Sequence, residues 1–381
     1  MMKTFLGIGL GPIQTSIFLD GAFRGGCGRL VIADVDAALV AALRASKGTL
    51  RFNVASNSSV TTRTITGVEI FNPTVPADRE QLIAAAAEAD ELATALPSIA
   101  FFKHISGWLR AGFLRAPDRR RFVYAAENHN HAAEALAAAV GTFPATHYLN
   151  TVIGKMSGVF SAAEGVRRTL PTLTPDADRG HLVEEFNKIL IQSCAGIEER
   201  GVQNLIAKPD LLPFEEAKLY GHNALHIWLG LHAQQRGCQM MDEISGTPEL
   251  LARARVAFVE EVGAALCRKR AGVDELFTPA GFAAYADDLL RRMVNPFLTD
   301  RVERVCRDLE RKLGWDDRLI GALRLVVSQG LEPNVLLEGA ALAAKKLFGN
   351  DREHIRTGLA TLWQRSDAEA AALWERLSKL L

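Results

Sequence analysis

No stretch of this 381-residue chain is apolar for long enough to cross a bilayer as a helix, and no heptad run, internal repeat or low-complexity tract appears. Those absences argue against a helical membrane protein, a coiled coil and a solenoid. Cysteine is scarce and scattered: Cys27, Cys194, Cys238, Cys267 and Cys306 are odd in number, with no CxxC and no Cys/His pair at ligand spacing. Neither a disulfide framework nor a metal site is expected. Neither sign of charge prevails, with 44 Lys plus Arg against 44 Asp plus Glu, so there is no electrostatic case for a nucleic acid or an acidic membrane surface. The expected partner is a small molecule. Met-Met-Lys followed by Phe5 to Leu19 imitates a signal peptide. It nevertheless carries Gly7, Gly9, Gly11, Pro12 and Gln14 and lacks a small-x-small cleavage site, so a cytoplasmic protein is expected.

What remains is an ordinary globular composition, 48% apolar and 23% charged, at a length that suggests two domains. The chain opens with Lys3-Thr-Phe-Leu-Gly7-Ile-Gly9-Leu-Gly11-Pro12, a buried-strand pattern running into a glycine-rich turn, and Gln14 to Phe23 reads as a helix. Arg29-Leu-Val-Ile-Ala-Asp34 is a second apolar strand that ends in an acid. This is the logic of a dinucleotide site. Glycines admit the pyrophosphate to the backbone, the helix N-terminus faces its charge, and the acid takes the ribose hydroxyls. Counted from Gly7, the third glycine of GxGxxG falls at Pro12, which suits a first helical turn but removes an N–H. Asp34 favours NAD over NADP, because an acid repels a 2′-phosphate; it is also placed to cap the helix expected over Ala37 to Ala45.

Downstream, the alternation from Arg51 to Phe71 predicts a hairpin or meander inserted in the Rossmann order. Asp90 to Pro97 reads as the next strand, with Thr94 at its carboxyl end. Phe122-Val-Tyr-Ala-Ala-Glu127-Asn128 reads as another that closes on a polar pair. Such positions border the crevice of an open α/β sheet. Tyr148 to Val159 completes the expected sheet. Gly7, Gly9, Gly11, Asp34, Thr94 and Glu127 are therefore the candidate cofactor residues.

From about His181 the pattern turns helical, over His181–Cys194, Pro213–Gln235, Pro248–Arg270, Pro279–Met293, Asp300–Leu313, Asp316–Gln329, Asn334–Leu347 and Asp351–Leu381. The expected fold is thus an α/β Rossmann-type domain over residues 1–180 and an all-helical domain over 181–381. Within the second lies Lys218-Leu-Tyr-Gly-His-Asn223-Ala-Leu-His226. With Lys218 as origin on an α-helix, Asn223 and His226 fall at about 140° and about 80°, one broad polar face in apolar surroundings. A desolvated Lys becomes a base near neutral pH, an amide steadies a developing oxyanion, and a His fixes or relays a proton. A snorkelling Lys, a solvent-facing Asn and a packed His satisfy the same pattern.

The Rossmann opening, the Ala-Ala-Glu127-Asn128 strand end, the Lys218…Asn223…His226 spacing and the helical second half together resemble the polyol-specific long-chain dehydrogenases. Within them the chain is most similar to the mannitol-1-phosphate 5-dehydrogenases. Asn295-Pro-Phe-Leu-Thr-Asp-Arg-Val-Glu-Arg304-Val-Cys-Arg307, Arg311-Lys-Leu, Asp317-Arg-Leu, Gly330-Leu-Glu-Pro-Asn334 and Glu338-Gly strengthen the likeness, which covers nearly the whole chain. The resemblance implies metal-independent hydride transfer with NAD between a polyol, such as mannitol 1-phosphate, and the ketose, such as fructose 6-phosphate. It further implies that Lys218 is the general base, that Asn128 and Asn223 steady the alkoxide, and that His226 orients the substrate. The chain departs from the family at Pro12, Gln14 and Thr15, at Val152-Ile-Gly154-Lys155-Met, and at Asp308-Leu309.

Arg304, Arg307 and Arg311 recur at i, i+3 and i+7, one face of a helix able to grip a sugar phosphate. Asp300–Arg304, Glu303–Arg307 and Asp308–Lys312 are also i,i+4 pairs of an ordinary solvated helix. His129, His131 and His222 receive no role. The rival readings are a hexuronate or unphosphorylated ketose reductase on the same scaffold, and a non-catalytic nucleotide-binding protein.

Overall fold

The computed structural model describes residues 2–381, and the chain divides into two compact units, Met1–Leu211 and Leu212–Leu381. The first unit carries the strands β1 (Thr4–Ile8), β2 (Arg29–Ala33), β3 (Leu50–Ala55), β4 (Val60–Ile65), β5 (Val68–Phe71), β6 (Glu91–Thr94), β7 (Arg121–Ala125), β8 (Thr146–Val152), β9 (Ser157–Ser161), β10 (Arg179–Glu184), β11 (Ile189–Gln192) and β12 (Leu205–Lys208). The main sheet runs β12-β11-β8-β7-β6-β1-β2-β5. From β5 to β8 every neighbour is parallel, and β11 then joins β8 antiparallel. The strand order reverses between β1 and β6, which is where an open α/β sheet offers a crevice at its carboxyl ends.

A parallel sheet is covered on both faces, which is why its strands read as nearly unbroken apolar runs. Successive residues of β1 serve opposite layers: Phe5 packs with Ile17, Phe18 and Ile32, whereas Leu6 and Ile8 pack with Leu82, Ile105 and Trp108. The expected insertion between Arg51 and Phe71 is a β3–β4 hairpin in a second sheet, ordered β4-β3-β10-β9, and β5 returns to the main sheet.

The helix expected over His181–Cys194 is replaced by β10 and β11. Leu182-Val183 and Ile189-Leu-Ile are short apolar runs, and periodicity cannot tell a buried strand of that length from a helix. They pair with β3, β9 and β8, so residues 181–211 group with the α/β unit and the division falls after Leu211, not after residue 180.

The second unit is helical. Its longest helix runs from Leu212 to Gln235 as an α turn (Leu212–Glu216), a π-wound segment (Ala217–Asn223) and an α-helix (Ala224–Gln235). Ala224, Leu225, Ile227, Trp228, Leu229 and Leu231 are all buried, as in a helix enclosed on every side. Trp228 Nε1 donates to the carbonyl of Val335 at 2.8 Å. Glu261 accepts the N–H groups of Val335 and Leu336 at 2.7 and 2.9 Å, a carboxylate answering the exposed donors where the helix Leu336–Phe348 begins. The helix Pro279–Met293 matches its expected bounds, with Thr278 Oγ1 accepting from Gly281 N and Pro279 in the first turn.

The helix expected over Asp300–Leu313 is broken. Two short pieces, Val302–Val305 and Leu309–Lys312, flank Asp308, whose φ is +56°. Asp tolerates this left-handed conformation better than most residues, and the i,i+4 charge pattern gave no sign of it. Among the described residues no helix is long and apolar enough to cross a membrane.

Candidate active site

β1 ends at Ile8, and the turn that follows is set by Gly9, whose φ of +83° lies in the region glycine favours. Gly9 N donates to Ala33 O at 2.8 Å, holding the turn to the end of β2. The helix opens at Pro12, where the missing N–H costs nothing. The glycine pattern is therefore Gly9-x-Gly11-x-x-Gln14, and Gly7 lies inside β1. The frame expected from Gly7 lies two residues too early. Gln14 takes the third-glycine position at the head of a π-wound segment, Gln14–Leu19, and its carboxamide fills the space over Gly7. The backbone around Gly11 is open, because a Cβ added there meets nothing within 4 Å. An open glycine, a left-handed glycine and a helix start make a cradle that fits a dinucleotide pyrophosphate.

Asp34 completes that cradle. Its Oδ2 accepts Leu10 N at 2.6 Å and its Oδ1 accepts Asp36 N at 2.9 Å. The cap of the helix Ala37–Ala45 is Asp36, which accepts Ala38 N and Leu39 N, so Asp34 does not serve as the cap. At the ends of β6 and β7, Glu127 Oε2 accepts the Thr94 hydroxyl and Oε1 accepts Leu96 N, each at 2.9 Å. Burial pushes the Glu127 carboxyl up, against the pull of these hydrogen bonds. Asn128 is exposed one residue further on.

No spacing in the sequence singles out His181 as a neighbour of the glycine turn. Its Nδ1 lies 3.1 Å from Thr15 Oγ1, which itself donates to Gly11 O at 2.9 Å. The hydroxyl's proton is thus committed, so His181 must donate from Nδ1. Burial, and then the charge of Arg179, push His181 down to about 3, keeping it neutral beneath the nucleotide turn. Lys155, one of the departures noted above, is buried with its ammonium donating to the carbonyls of Glu184 and Phe186, a structural duty between β9 and β10.

In the helical unit, π winding alters the geometry assumed for Lys218, Asn223 and His226. A π turn bonds i to i+5, so residues five apart come over one another instead of standing about 140° apart. Lys218 and Asn223 share one side of the helix, with His226 less than a turn beyond. Burial, followed by the positive charge of Arg318, pushes the Lys218 ammonium down to about 8, while Glu215 opposes the shift. His222 is 5% exposed and is held well below its ordinary value, first by burial and then by His226, Arg292, Lys218 and Arg318. His226 Nε2 faces Asp300 Oδ2 at 2.9 Å.

A cleft of about 220 Å³ in this unit is lined by Asn223 and His226 together with Arg304, Arg307, Arg311 and Arg318. The three expected arginines do meet, but through the break at Asp308 and not along one helical face. Arg304 is held by Asp300, at 2.6 Å from Nη2 and 2.8 Å from Nε, and Arg311 reaches Asp317 at 3.4 Å. The expected pairs Glu303–Arg307 and Asp308–Lys312 are not formed as ion pairs. Lys312 turns inward, donating to the carbonyls of Val305 and Arg307 and so bracing the break. Arg318, which pairs with Asp317, reached the cleft without being singled out by any spacing.

A parallel doubly wound α/β unit with a nucleotide cradle, followed by a helical unit carrying Lys, Asn and His, defines a two-domain dehydrogenase architecture. Residues 210–380 match the model of the mannitol dehydrogenase C-terminal domain. The mannitol-1-phosphate 5-dehydrogenase of Brevibacillus brevis is 30% identical over 325 residues, covering 84% of this chain and 79% of that protein. The enzyme of the same name from Paenarthrobacter aurescens is 27% identical over 356 residues, covering 92% and 88%. Pseudomonas fluorescens mannitol 2-dehydrogenase, solved as a ternary complex with NAD and D-mannitol, superposes with a TM-score of 0.71 at 14% identity, covering 100% of this chain and 91% of that one. The chain belongs to the mannitol dehydrogenase family.

Proposed function

We propose that this chain is an NAD-dependent polyol dehydrogenase that interconverts a polyol phosphate, such as mannitol 1-phosphate, and the ketose phosphate, such as fructose 6-phosphate. The observation that carries the reading is the depressed Lys218 ammonium, one π turn from Asn223, beside a cleft where Asn223 and His226 meet an arginine cluster. NAD, when bound by Gly9, Gly11 and Asp34, supplies the hydride acceptor.

Lys218 in its neutral form removes the alcohol proton through Nζ, and a value near 8 keeps a useful fraction neutral at physiological pH. The nearby Arg318 charge serves the same end by disfavouring the ammonium. The carboxamide of Asn223 donates to the oxygen as negative charge grows on it, an interaction stronger in the transition state than in the ground state, and the family resemblance implies the same part for Asn128. His226 binds a neighbouring hydroxyl and sets the substrate's orientation. Arg307 and Arg311 take the phosphate through charge-assisted bonds, while Arg304 is committed to Asp300. In the reducing direction Lys218 returns the proton to the carbonyl oxygen. No step in this scheme calls for a metal ion.

The test is NADH oxidation with fructose 6-phosphate and unphosphorylated fructose side by side. Turnover of the ester alone supports the assignment. Turnover of fructose alone removes the phosphate site. A second reading, hexuronate reduction, is favoured by the same arginines, since guanidinium forks hold a carboxylate as well as a phosphate; activity with a hexuronate and none with either fructose form would select it.

A further inference from the structure

We infer that Asp300 is a positioning residue that fixes the tautomer of His226, so that this imidazole meets the substrate as a hydrogen-bond acceptor. The inference rests on the reading of His226 as substrate-facing and goes beyond it by assigning which ring nitrogen does what.

Asp300 is 9% exposed and its two oxygens have separate duties: Oδ2 faces His226 Nε2 at 2.9 Å, and Oδ1 takes both Nη2 and Nε of Arg304. Its backbone is anchored as well. Met241 N donates to Asp300 O at 2.9 Å, Val302 N donates to Gln239 O at 3.0 Å, and Met240 bridges to Arg301. The carboxylate is therefore delivered to the His226 ring from a clamped strand-like segment. Burial would raise the Asp300 carboxyl, but its contacts with His226 and Arg304 and the Arg304 charge prevail and hold it below the ordinary range. Asp300 is a carboxylate, and a carboxylate only accepts. The facing Nε2 and Oδ2 are short in distance but off the line of a straight hydrogen bond, as is common in an active site before substrate draws it tight.

In its neutral form, His226 opposite an obligate acceptor carries its proton on Nε2. Nδ1 is then the ring's remaining polar atom and holds a lone pair. The cleft that His226 lines thus offers a substrate hydroxyl an acceptor, next to Asn223 with its amide donors. Donor and acceptor side by side recognise an alcohol that both gives and receives a hydrogen bond, which is the repeating unit of a polyol chain.

The geometry also dictates what Asp300→Asn does. Arg304 can only donate, so the carboxamide oxygen must turn to Arg304, which leaves the NH₂ group facing His226. Nε2 then becomes the acceptor and the proton moves to Nδ1. The experiment is nitrogen-15 NMR of histidine-labelled full-length protein at alkaline pH, with His226 assigned by its absence in His226→Gln. Expected are the Nε2–H form in the unaltered protein, the Nδ1–H form in Asp300→Asn, and return to Nε2–H in Asp300→Asn/Arg304→Leu, where the carboxamide is free to turn back. Steady-state kinetics should show KM for the polyol raised about tenfold in Asp300→Asn, with a smaller change in kcat. An Nδ1–H form in the unaltered protein overturns the inference without need of any variant. An unchanged tautomer in a folded Asp300→Asn does the same. The NMR reading is independent of turnover, so a Lys218→Ala variant that keeps full activity would end the proposed function and leave this result standing.

Discussion

The side chain of Gln14 occupies the place where Gly7 lacks one: a Cβ on Gly7 would stand 1.7 Å from Gln14 Nε2. A bulky residue at the third-glycine position is accommodated by a glycine moved into the strand beneath it. Both polar atoms of the Gln14 carboxamide are buried with no hydrogen-bond partner. Gly7→Ala should therefore destabilise the protein by about 1–3 kcal/mol through overpacking, and Gln14→Ala in the same chain should recover most of that loss. Chemical denaturation of the two single variants and the double variant gives the coupling directly. Additive losses would mean that the two sites do not share this space.

Lys218, pushed down to about 8, predicts opposite pH dependences for the two directions. Oxidation requires the neutral amine, so kcat/KM for the polyol rises with pH and levels off above about 8. Reduction requires the ammonium, so kcat/KM for the ketose is level below that value and falls above it. Lys218→Ala should abolish both while leaving NADH fluorescence titration unchanged. Profiles that bend together in the same direction would assign the titration to another group.

The arginines of the cleft divide into held and available. Arg304 is locked to Asp300, whereas Arg307 forms no ion pair among the described residues. Arg307→Ala should raise KM for a phosphorylated substrate about tenfold to about a hundredfold with little change in kcat, and should leave an unphosphorylated analogue nearly untouched. Equal losses with both substrates would make Arg307 a structural residue.

His181 supplies a stability prediction. Its folded value of about 3 lies below the ordinary 6.5, so an unfolded chain binds a proton that the folded one refuses between those limits. Its contribution is complete above about 6.5 and is lost as pH falls toward about 3. His181→Asn keeps an N–H for Thr15 without titrating, so its melting temperature should decline less steeply on acidification. An unaltered slope would show that His181 is protonated without unfolding.

How far the sequence reading reached follows the locality of each signal. Lys218, Asn223 and His226 were legible because one helix carries all three, and Thr94 and Glu127 because strand ends in an open α/β sheet are predictable places. The approaches of Asp300 to His226, of Arg318 to the cleft and of His181 to Thr15 were not, since each is made through the fold, although the spacing did announce the Asp300–Arg304 pair. β10 and β11 were misread as helix because runs of two or three apolar residues have no period to measure. The break at Asp308 hid behind i,i+4 charge pairs that looked helical, though it is this break that gathers the arginines. The frame of the glycine turn needed the end of β1, which only strand pairing defines.

The π turn between Lys218 and Asn223 acts as a phase setting for the helix that follows. Winding the same residues as α-helix, with none removed, would rotate everything beyond them by about 100° relative to Lys218. Trp228, which bonds to Val335, and His226, which faces Asp300, would then be out of register with partners held elsewhere in the unit. The winding of that turn is accordingly constrained as tightly as the identities of its residues.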